Sequence, residues 1–331
     1  MKAILSTQPG PAETLVVGDL PSPEPKPGEV VIRVKAAGVN FFDTLIIQDK
    51  YQFKPDRPFA PGGEAAGLVA AVGADVEGLK PGDRVFAAVT WGAMAEEVAA
   101  PAAEVFKIPD SLPFDEAAAM MVTYGTAYYS LTTRGDVQPG EKLLIMGAAG
   151  GMGVASVEIG KALGAEVYAA AGSQDKVDFA LSKGADKGIV YPPTPLDRDQ
   201  QKAFSAALKD ISGGGFDVVQ DNVGGDYAEP LIRAMNWNGR FLVIGFPAGI
   251  PSIPLNLTLL KSCQIVGVFF GGASKREPGR HRREVAALFD LYERGAIHPH
   301  ISARYPLDKA ADAIKELAER RAKGKIVITI E

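Results

Sequence analysis

The sequence predicts an α/β protein of two domains, one β-rich and one built on a doubly wound parallel sheet. Its 331 residues are about twice the length of a typical domain. The first 120 residues are rich in Gly and Pro and contain short apolar runs, a pattern typical of strands joined by tight turns. From residue 142 onward, apolar strands alternate with helical patterns, and such alternation indicates a parallel sheet.

The β-rich part is expected to form strands at 30–36, 67–72 and 84–89, with turns at 26–28 and 80–83. The sequence pattern changes near residue 117, where a predicted helical stretch is followed by a turn at 139–140. A second domain is therefore expected to begin in this region.

The parallel sheet is expected to contain about six strands, separated by helices that end at glycines such as Gly164 and Gly184. The strands are predicted at 142–146, 166–170, 188–191, 216–221, 240–244 and 264–270, and the helices at 157–163, 174–183 and 200–211. A helix at 283–293 and a strand at 325–330 no longer fit the repeat. The C-terminus is therefore expected to return to the first domain.

Composition narrows the class of protein. The 35 basic and 40 acidic residues give a net charge of −5 without long basic runs, which argues against nucleic acid as a partner. No stretch approaches a membrane span or a signal-peptide core, so we expect a cytoplasmic protein without a membrane partner. The single cysteine, Cys263, excludes an internal disulfide and a multi-cysteine zinc site. The histidines His281, His298 and His300 lack the spacing of metal ligands, and we predict no metal site.

A glycine-rich turn follows the strand at 142–146 and reads GAAGGMG over 147–153. Small residues at such a turn let a pyrophosphate approach the backbone N–H groups at a helix N-terminus. The motif alone is weak, since Ala148 replaces the first Gly of GxGxxG. The strand before it, the helix after it and the next strand at the expected distance strengthen the prediction of a dinucleotide site.

The end of the second strand bears on which nicotinamide cofactor binds. No acid stands at Ala171, Gly172 or Ser173, whereas an NAD site usually places one there. A hydroxyl at Ser173 and an ammonium at Lys176, beside a helix N-terminus, favour the extra phosphate of NADPH. The alternative is that Ser173 only caps the helix, that Lys176 is a solvated charge and that Asp175 serves NAD.

A series of segments spans the chain in a specific order. They are AAGVNFFDTLIIQDKYQF (36–53), PGGEAAG (61–67), TYGTAYYSL (123–131), KGADKGIVY (183–191), FDVVQDNVGG (216–225), GRFLVIGF (239–246) and QIVGVFFGG (264–272). Together they resemble the medium-chain dehydrogenase/reductase superfamily, in particular its zinc-free, zeta-crystallin-like quinone oxidoreductase branch. Asn40 and Gly63 stand where zinc-dependent relatives carry a Cys and a His ligand, and the cysteine-rich structural zinc loop is missing.

The resemblance implies a GroES-like β-rich catalytic domain at 1–122, a Rossmann NADPH-binding domain at 123–266 and a return to the catalytic domain at 267–331. It also implies cofactor contacts at positions that match the family's motifs. These are Asn40, Thr126, Ala149, Gly150, Gly151, Met152, Gly172, Ser173, Lys176, Tyr191, Asn222, Ile244, Gly245, Phe246, Val268, Phe269 and Phe270. Tyr191 either packs near the 2′-phosphate or simply ends the third strand.

The expected chemistry is hydride transfer from NADPH to a small-molecule acceptor that is already electrophilic, such as a quinone or an enone, because no zinc would polarise the substrate. Tyr51 is the candidate hydrogen-bond or proton donor, although it equally suits a lining role in the cleft. Asn40 can hydrogen-bond in the same cleft. Asp43 can do so too, or it can act as the N-cap of a short helix.

Two other functions stay open at this point. One is reduction of 2-enoyl thioesters or other α,β-unsaturated carbonyls, for which a basic cluster at 275–283 would hold a phosphorylated substrate unless it is only a solvated helix start. The other is a non-catalytic NADPH-binding protein. The apolar strand at 264–270 is expected to lie at the sheet edge and to pair with its copy in a homodimer, as in relatives.

Overall fold

The computed structural model describes all 331 residues, which form two compact units. The first unit comprises Met1–Val122 and Pro299–Glu331, and the second comprises Thr123–His298. The strands are β1 (Lys2–Leu5), β2 (Val16–Asp19), β3 (Glu29–Val39), β4 (Glu64–Val72), β5 (Arg84–Ala88), β6 (Glu97–Pro101), β7 (Val105–Lys107), β8 (Lys142–Met146), β9 (Glu166–Ala171), β10 (Lys187–Val190), β11 (Phe216–Asp221), β12 (Met235–Val243), β13 (Gln264–Gly267), β14 (Ile301–Pro306) and β15 (Lys325–Thr329).

Most of the helices, including the longest ones, lie in the second unit. The helices are α1 (Phe41–Ile46), α2 (Phe114–Ala118), α3 (Thr126–Tyr128), α4 (Gly151–Ala162), α5 (Gln174–Ser182), α6 (Arg198–Ser212), α7 (Ala228–Arg233), α8 (Asn256–Lys261), α9 (Phe270–Arg276), α10 (Pro278–Glu293) and α11 (Ala310–Ala318). None of them is long and apolar enough to cross a membrane.

The first unit is built on a seven-stranded sheet in the order β14-β15-β3-β4-β5-β7, with β6 paired to β3. All its pairings are antiparallel except β14 with β15. The inward-facing side chains of β3 and β15, such as Val34 and Ile328, are fully buried in one apolar core. A sheet with one such face requires a fixed register, and this places the start of β15 beside the end of β3.

The second unit contains the predicted parallel sheet, in the order β10-β9-β8-β11-β12-β13. The central strand β8 is apolar after its first residue because helices cover both faces of the sheet, and its last four residues are fully buried. This confirms the predicted fold class of a β-rich GroES-like region with a doubly wound sheet. The sequence pattern sufficed because strand and helix periodicities alternate cleanly over this part of the chain.

Two elements differ from the expectation. The strand predicted at 264–270 ends at Gly267, and Phe270 begins α9. The chain also stays in the second unit until His298, so the division expected after residue 266 falls inside that unit. Long-range contacts hold this segment there, since Glu284 accepts a hydrogen bond from Thr133 at 2.8 Å and Phe270 packs on Tyr129. Local periodicity carries no information about such contacts.

The helical stretch predicted at 117–133 is also less regular than expected. The structure divides it into the end of α2, a π-helical turn at Met121–Gly125, the short α3 and a second π-helical segment at Tyr129–Arg134. Such π-helical turns are often found at functional sites.

Candidate functional site

The glycine turn between β8 and α4 has the shape that a phosphate cradle requires. Gly147 adopts a positive φ of 68°, and α4 begins four residues later at Gly151. A Cβ on Gly153 would lie 2.2 Å from the Gly147 carbonyl oxygen, so only glycine allows the helix to start this close to the strand. A Cβ on Gly150 would meet nothing closer than 3.6 Å, so that side of the turn is open. The first-turn N–H groups of α4 therefore face space that suits a dinucleotide pyrophosphate.

The end of β9 forms the second part of the candidate cofactor site. Gly172 is exposed, and a Cβ there would contact the Tyr191 ring at 3.4 Å. The Ser173 side chain does not cap α5. Its hydroxyl donates instead to the carboxylate of Asp175. Lys176, in the first turn of α5, is half-buried. The structure thus places Ser173, Lys176 and Tyr191 near one strand end, with Asp175 beside them.

The other cofactor residues predicted in the second unit mostly gather at the same edge of the sheet. Asn222 follows β11, the segment 244–246 follows β12, and 268–270 follow β13. Because carboxyl ends of parallel strands share one edge, these residues lie on the side where dinucleotides bind in doubly wound folds. Phe246 and Phe269 are 43% and 55% exposed there. Their contact with a cofactor, like that of Thr126 at the start of α3, stays a prediction.

In the first unit, Asn40 lies in a buried polar network. The Lys325 ammonium donates to Glu64 Oε1 at 2.6 Å and to Asn40 Oδ1 at 2.7 Å. Asn40 Nδ2 donates to Glu64 Oε1 at 2.8 Å. Asn40, Glu64 and Lys325 are 5%, 1% and 4% exposed. An ammonium only donates and a carboxylate only accepts, so the Asn40 amide is held in a single orientation.

Glu64 and Lys325 also satisfy their remaining hydrogen-bonding capacity with the backbone. Glu64 Oε2 accepts from the Val122 N–H at 2.8 Å, and Lys325 donates to the Val39 carbonyl at 3.0 Å. A buried ion pair is tolerated only when the desolvation of both charges is offset in this way. Sequence motifs assigned no role to either residue. In the sequence, the one sign that Lys325 is unusual is its position as a charged residue at the start of a mostly apolar strand.

Asp43 is not the N-cap of the short helix α1, which was one of its two expected roles. The N-cap of α1 is Asn40, and Asp43 lies in the first turn of that helix. Its carboxylate accepts from the Asn40 N–H at 2.8 Å and from the Gly62 N–H at 3.1 Å. Complete burial raises the pKa of Asp43 to about 7, against these hydrogen bonds and the nearby Lys325 ammonium, which lower it. These contacts describe a structural role, and a part in catalysis stays a prediction.

The space beside Gly63 is filled by an aromatic ring. A Cβ on Gly63 would lie 2.2 Å from the tip of the Phe42 ring, so the histidine of zinc relatives does not fit here without movement of Phe42. Phe42 stacks on Tyr51 with ring centroids 5.5 Å apart. The half-buried Tyr51 has its pKa raised by burial and then by the Asp43 charge, so its hydroxyl keeps its proton at neutral pH.

Two arginines of the basic cluster at 275–283 make contacts within the protein, and Arg276 donates to the Gly272 carbonyl at 3.0 Å. Arg280 lies 3.5 Å from carboxylate oxygens of both Glu277 and Glu284, and its guanidinium stacks 4.6 Å from the centroid of the Tyr129 ring. Burial lowers the pKa of His281 to about 4, so this imidazole is neutral. No group of three or more His, Cys, Asp or Glu side chains in the chain is arranged to hold a metal ion.

Comparisons with known proteins point to one family. The model of the alcohol dehydrogenase GroES-like domain matches residues 26–110, and a zinc-binding dehydrogenase model matches residues 184–328. A quinone oxidoreductase-like protein 2 homolog of Nematostella vectensis is 37% identical over 304 residues, covering 91% of this chain and 81% of that protein. Human quinone oxidoreductase is 31% identical over 323 residues, covering 97% and 95%. The crystal structure of Escherichia coli quinone oxidoreductase complexed with NADPH superposes with a TM-score of 0.90 at 30% identity, covering 99% of this chain and 100% of that one.

Proposed function

This chain belongs to the zinc-free quinone oxidoreductase branch of the medium-chain dehydrogenase/reductase superfamily, and from that premise we propose that it reduces quinones or similar conjugated carbonyl compounds with NADPH. The cofactor proposal is supported by the glycine turn at Gly147–Gly153, by the hydroxyl and ammonium at Ser173 and Lys176, and by the NADPH bound to the E. coli relative. NADPH supplies the hydride in such a reaction.

The observation that carries the proposal is the occupation of the two zinc-ligand positions. Asn40 is locked between Lys325 and Glu64, and the ring of Phe42 fills the space beside Gly63. These side chains offer no thiolate or imidazole to a zinc ion. An acceptor that needs no Lewis acid, because conjugation already makes it electrophilic, suits such a site.

Within the first unit, two side chains have properties that suit this reaction. Tyr51 retains its proton, so its hydroxyl can donate a hydrogen bond to oxygen on which negative charge develops. Asn40 has its amide orientation fixed, so any group it binds meets the same hydrogen-bonding face at each turnover. The stacking of Tyr51 on Phe42 restricts the rotation of the phenol.

The test is a comparison of acceptors with the purified protein. We expect NADPH oxidation to be faster with an ortho- or para-quinone than with crotonyl-coenzyme A. The opposite order would favour reduction of enoyl thioesters, and binding of NADPH without turnover of either acceptor would favour a non-catalytic role.

Tyr51→Phe should lower kcat with the preferred acceptor at least tenfold if the hydroxyl serves the chemistry. An unchanged kcat would reduce Tyr51 to a lining residue.

A homodimer is a further part of the proposal. The edge strand β13 pairs only with β12, which leaves its other side without a partner strand in the single chain. Beside it, exposed apolar side chains cluster on and before α8, with Leu255, Leu259 and Leu260 at 74%, 79% and 65% exposure. A second copy of this chain would cover them. Light scattering should give twice the mass of the chain, and Leu259→Asp should shift it towards the monomer. A wild-type monomer would contradict this arrangement.

The cytoplasm is the proposed location. The single cysteine, Cys263, is buried and forms no disulfide, as is common in proteins of a reducing compartment. Fractionation of cells that express the tagged chain would test this, and recovery with the membrane or outside the cell would contradict it.

A further inference from the structure

A buried chain of hydrogen bonds runs beneath the glycine turn of the second unit. Gln220 in β11 is fully buried, and so is Ser156 in α4. Gln220 Nε2 donates to Ser156 Oγ at 2.6 Å and to Asn222 Oδ1 at 3.1 Å. Asn222 Nδ2 donates in turn to the Met146 carbonyl at 2.8 Å, at the end of β8. The sequence motifs assigned no role to Gln220.

The groups at both ends of this series of hydrogen bonds fix the direction in which its members donate. The Ser156 hydroxyl gives its one proton to the Met152 carbonyl at 2.9 Å, so only its lone pairs face Gln220. The amide nitrogen of Gln220 therefore points towards Ser156 and Asn222. The Met146 carbonyl, which can only accept, requires this arrangement because it draws the Asn222 nitrogen to its own side and leaves Asn222 Oδ1 facing Gln220. The oxygen of the same amide accepts from the Ser130 hydroxyl at 3.2 Å, which agrees with this orientation.

The Gln220 amide and the Met146 carbonyl together hold the Asn222 amide in one orientation. Asn222 Oδ1 is held by the Gln220 nitrogen, and the Met146 carbonyl, which can only accept, takes one of the two Nδ2 hydrogens. A flipped Asn222 amide would place a carbonyl against the Met146 carbonyl and an NH₂ group against the Gln220 NH₂ group. Two unfavourable contacts in a largely buried site make that state costly.

Asn222 lies where a dinucleotide would pass. It follows the carboxyl end of β11, and a Cβ on Gly147, the first residue of the glycine turn, would lie 3.8 Å from its Cβ. Asn222 is partly exposed, in contrast to Gln220 behind it. The second Nδ2 hydrogen is thus the group that Asn222 can offer at this edge of the sheet.

We infer that Gln220 is a positioning residue for cofactor binding, because it fixes the Asn222 amide so that an N–H rather than a carbonyl faces the cofactor. The group recognised by Asn222 is then an acceptor oxygen of the dinucleotide, from a phosphate or a ribose. The inference rests on the proposed function, since it takes NADPH as the ligand at this edge. The same Gln220 nitrogen supports Ser156, which holds the first turn of α4 through Met152.

A double-mutant cycle on NADPH binding tests this inference. The dissociation constant is measured by cofactor fluorescence for the wild type, Gln220→Leu, Asn222→Ala and the double variant. We expect Gln220→Leu to weaken binding about five- to tenfold when Asn222 is present, as for loss of one oriented hydrogen bond. In the Asn222→Ala background the same change should weaken binding less than twofold.

A residue that only stabilises the fold would give a different pattern. Weakening by a similar factor in both backgrounds, with a coupling below twofold, would overturn the inference, and so would an unchanged dissociation constant in Gln220→Leu. Gln220→Met, with a longer unbranched side chain, replaces Gln220→Leu in the cycle if the latter does not fold.

A matched control comes from the opposite edge of the same sheet. Asn236 Nδ2 donates to Asp217 Oδ1 at 2.7 Å near the amino ends of β11 and β12, so Asn236→Leu removes a comparable amide away from the glycine turn. NADPH binding should be unchanged in this variant, and a loss equal to that of Gln220→Leu would count against the inference. Failure of the wild type to bind NADPH would instead refute the proposed function.

Discussion

Replacement of Lys325 by Met tests the buried network of the first unit. The change removes three hydrogen bonds and leaves the Glu64 carboxylate, which is 1% exposed, without its counter-charge. Loss of one partner of a buried ion pair costs about 3–5 kcal/mol, which is a large part of the total stability of about 5–15 kcal/mol for a typical protein. We expect a loss of this size in the free energy of unfolding.

The assay can be directed at the first unit alone. The two tryptophans, Trp91 and Trp237, lie in different units, so a Trp237→Phe background leaves Trp91 to report on the first one. Trp237 is 68% exposed, and its replacement should be well tolerated. Urea unfolding followed by Trp91 fluorescence then gives the free energy of unfolding with and without Lys325.

Two further variants test whether the buried charge causes the loss. Glu64→Gln added to Lys325→Met should recover part of the lost stability, because it removes the uncompensated charge while an oxygen still accepts from the Val122 N–H. Lys315→Met is the control, since the ion pair of Lys315 with Glu13 lies at the surface and should contribute little. A loss below about 1 kcal/mol for Lys325→Met, or a double variant no more stable than the single one, would refute an essential buried pair.

Three other predictions concern the pH dependence and the cofactor site. Because the pKa of Asp43 is raised from 3.8 to about 7, the folded protein keeps a proton between these values that the unfolded chain has lost. The free energy of unfolding should therefore fall as pH rises, by up to about 1.4 kcal/mol per pH unit, and level off above the folded pKa; an equal slope in Asp43→Asn urea titrations would contradict this. Gly153→Ala should abolish NADPH binding and lower the melting temperature, because its Cβ meets the backbone of the turn at 2.2 Å, whereas Gly150→Ala should fold normally; equal melting temperatures would show that the turn adapts. Lys176→Ala should weaken NADPH at least tenfold more than NADH, and equal weakening in binding titrations would remove Lys176 from the phosphate site.

Local patterns determined the fold class and much of the candidate cofactor site. The alternation of strands and helices after residue 142 predicted the parallel sheet, since each element carries its own periodicity. The glycine turn at Gly147–Gly153 could also be predicted from the sequence, because positive φ angles and close backbone approach require glycine at specific positions. The residue types of Asn40 and Gly63 were enough to distinguish this chain from zinc-dependent relatives, because neither an amide nor a glycine can replace a thiolate or imidazole ligand.

Tertiary structure decided what these residues contact. Lys325 and Glu64 are 261 positions apart, and only the register of β15 on β3 brings the ammonium into the network around Asn40. The contacts of Gln220 could not be predicted from the sequence either, because its amide bonds to Ser156, which lies 64 residues away in the chain. Periodicity records which side of an element is buried, whereas the direction of a buried hydrogen bond depends on partners that folding alone brings together.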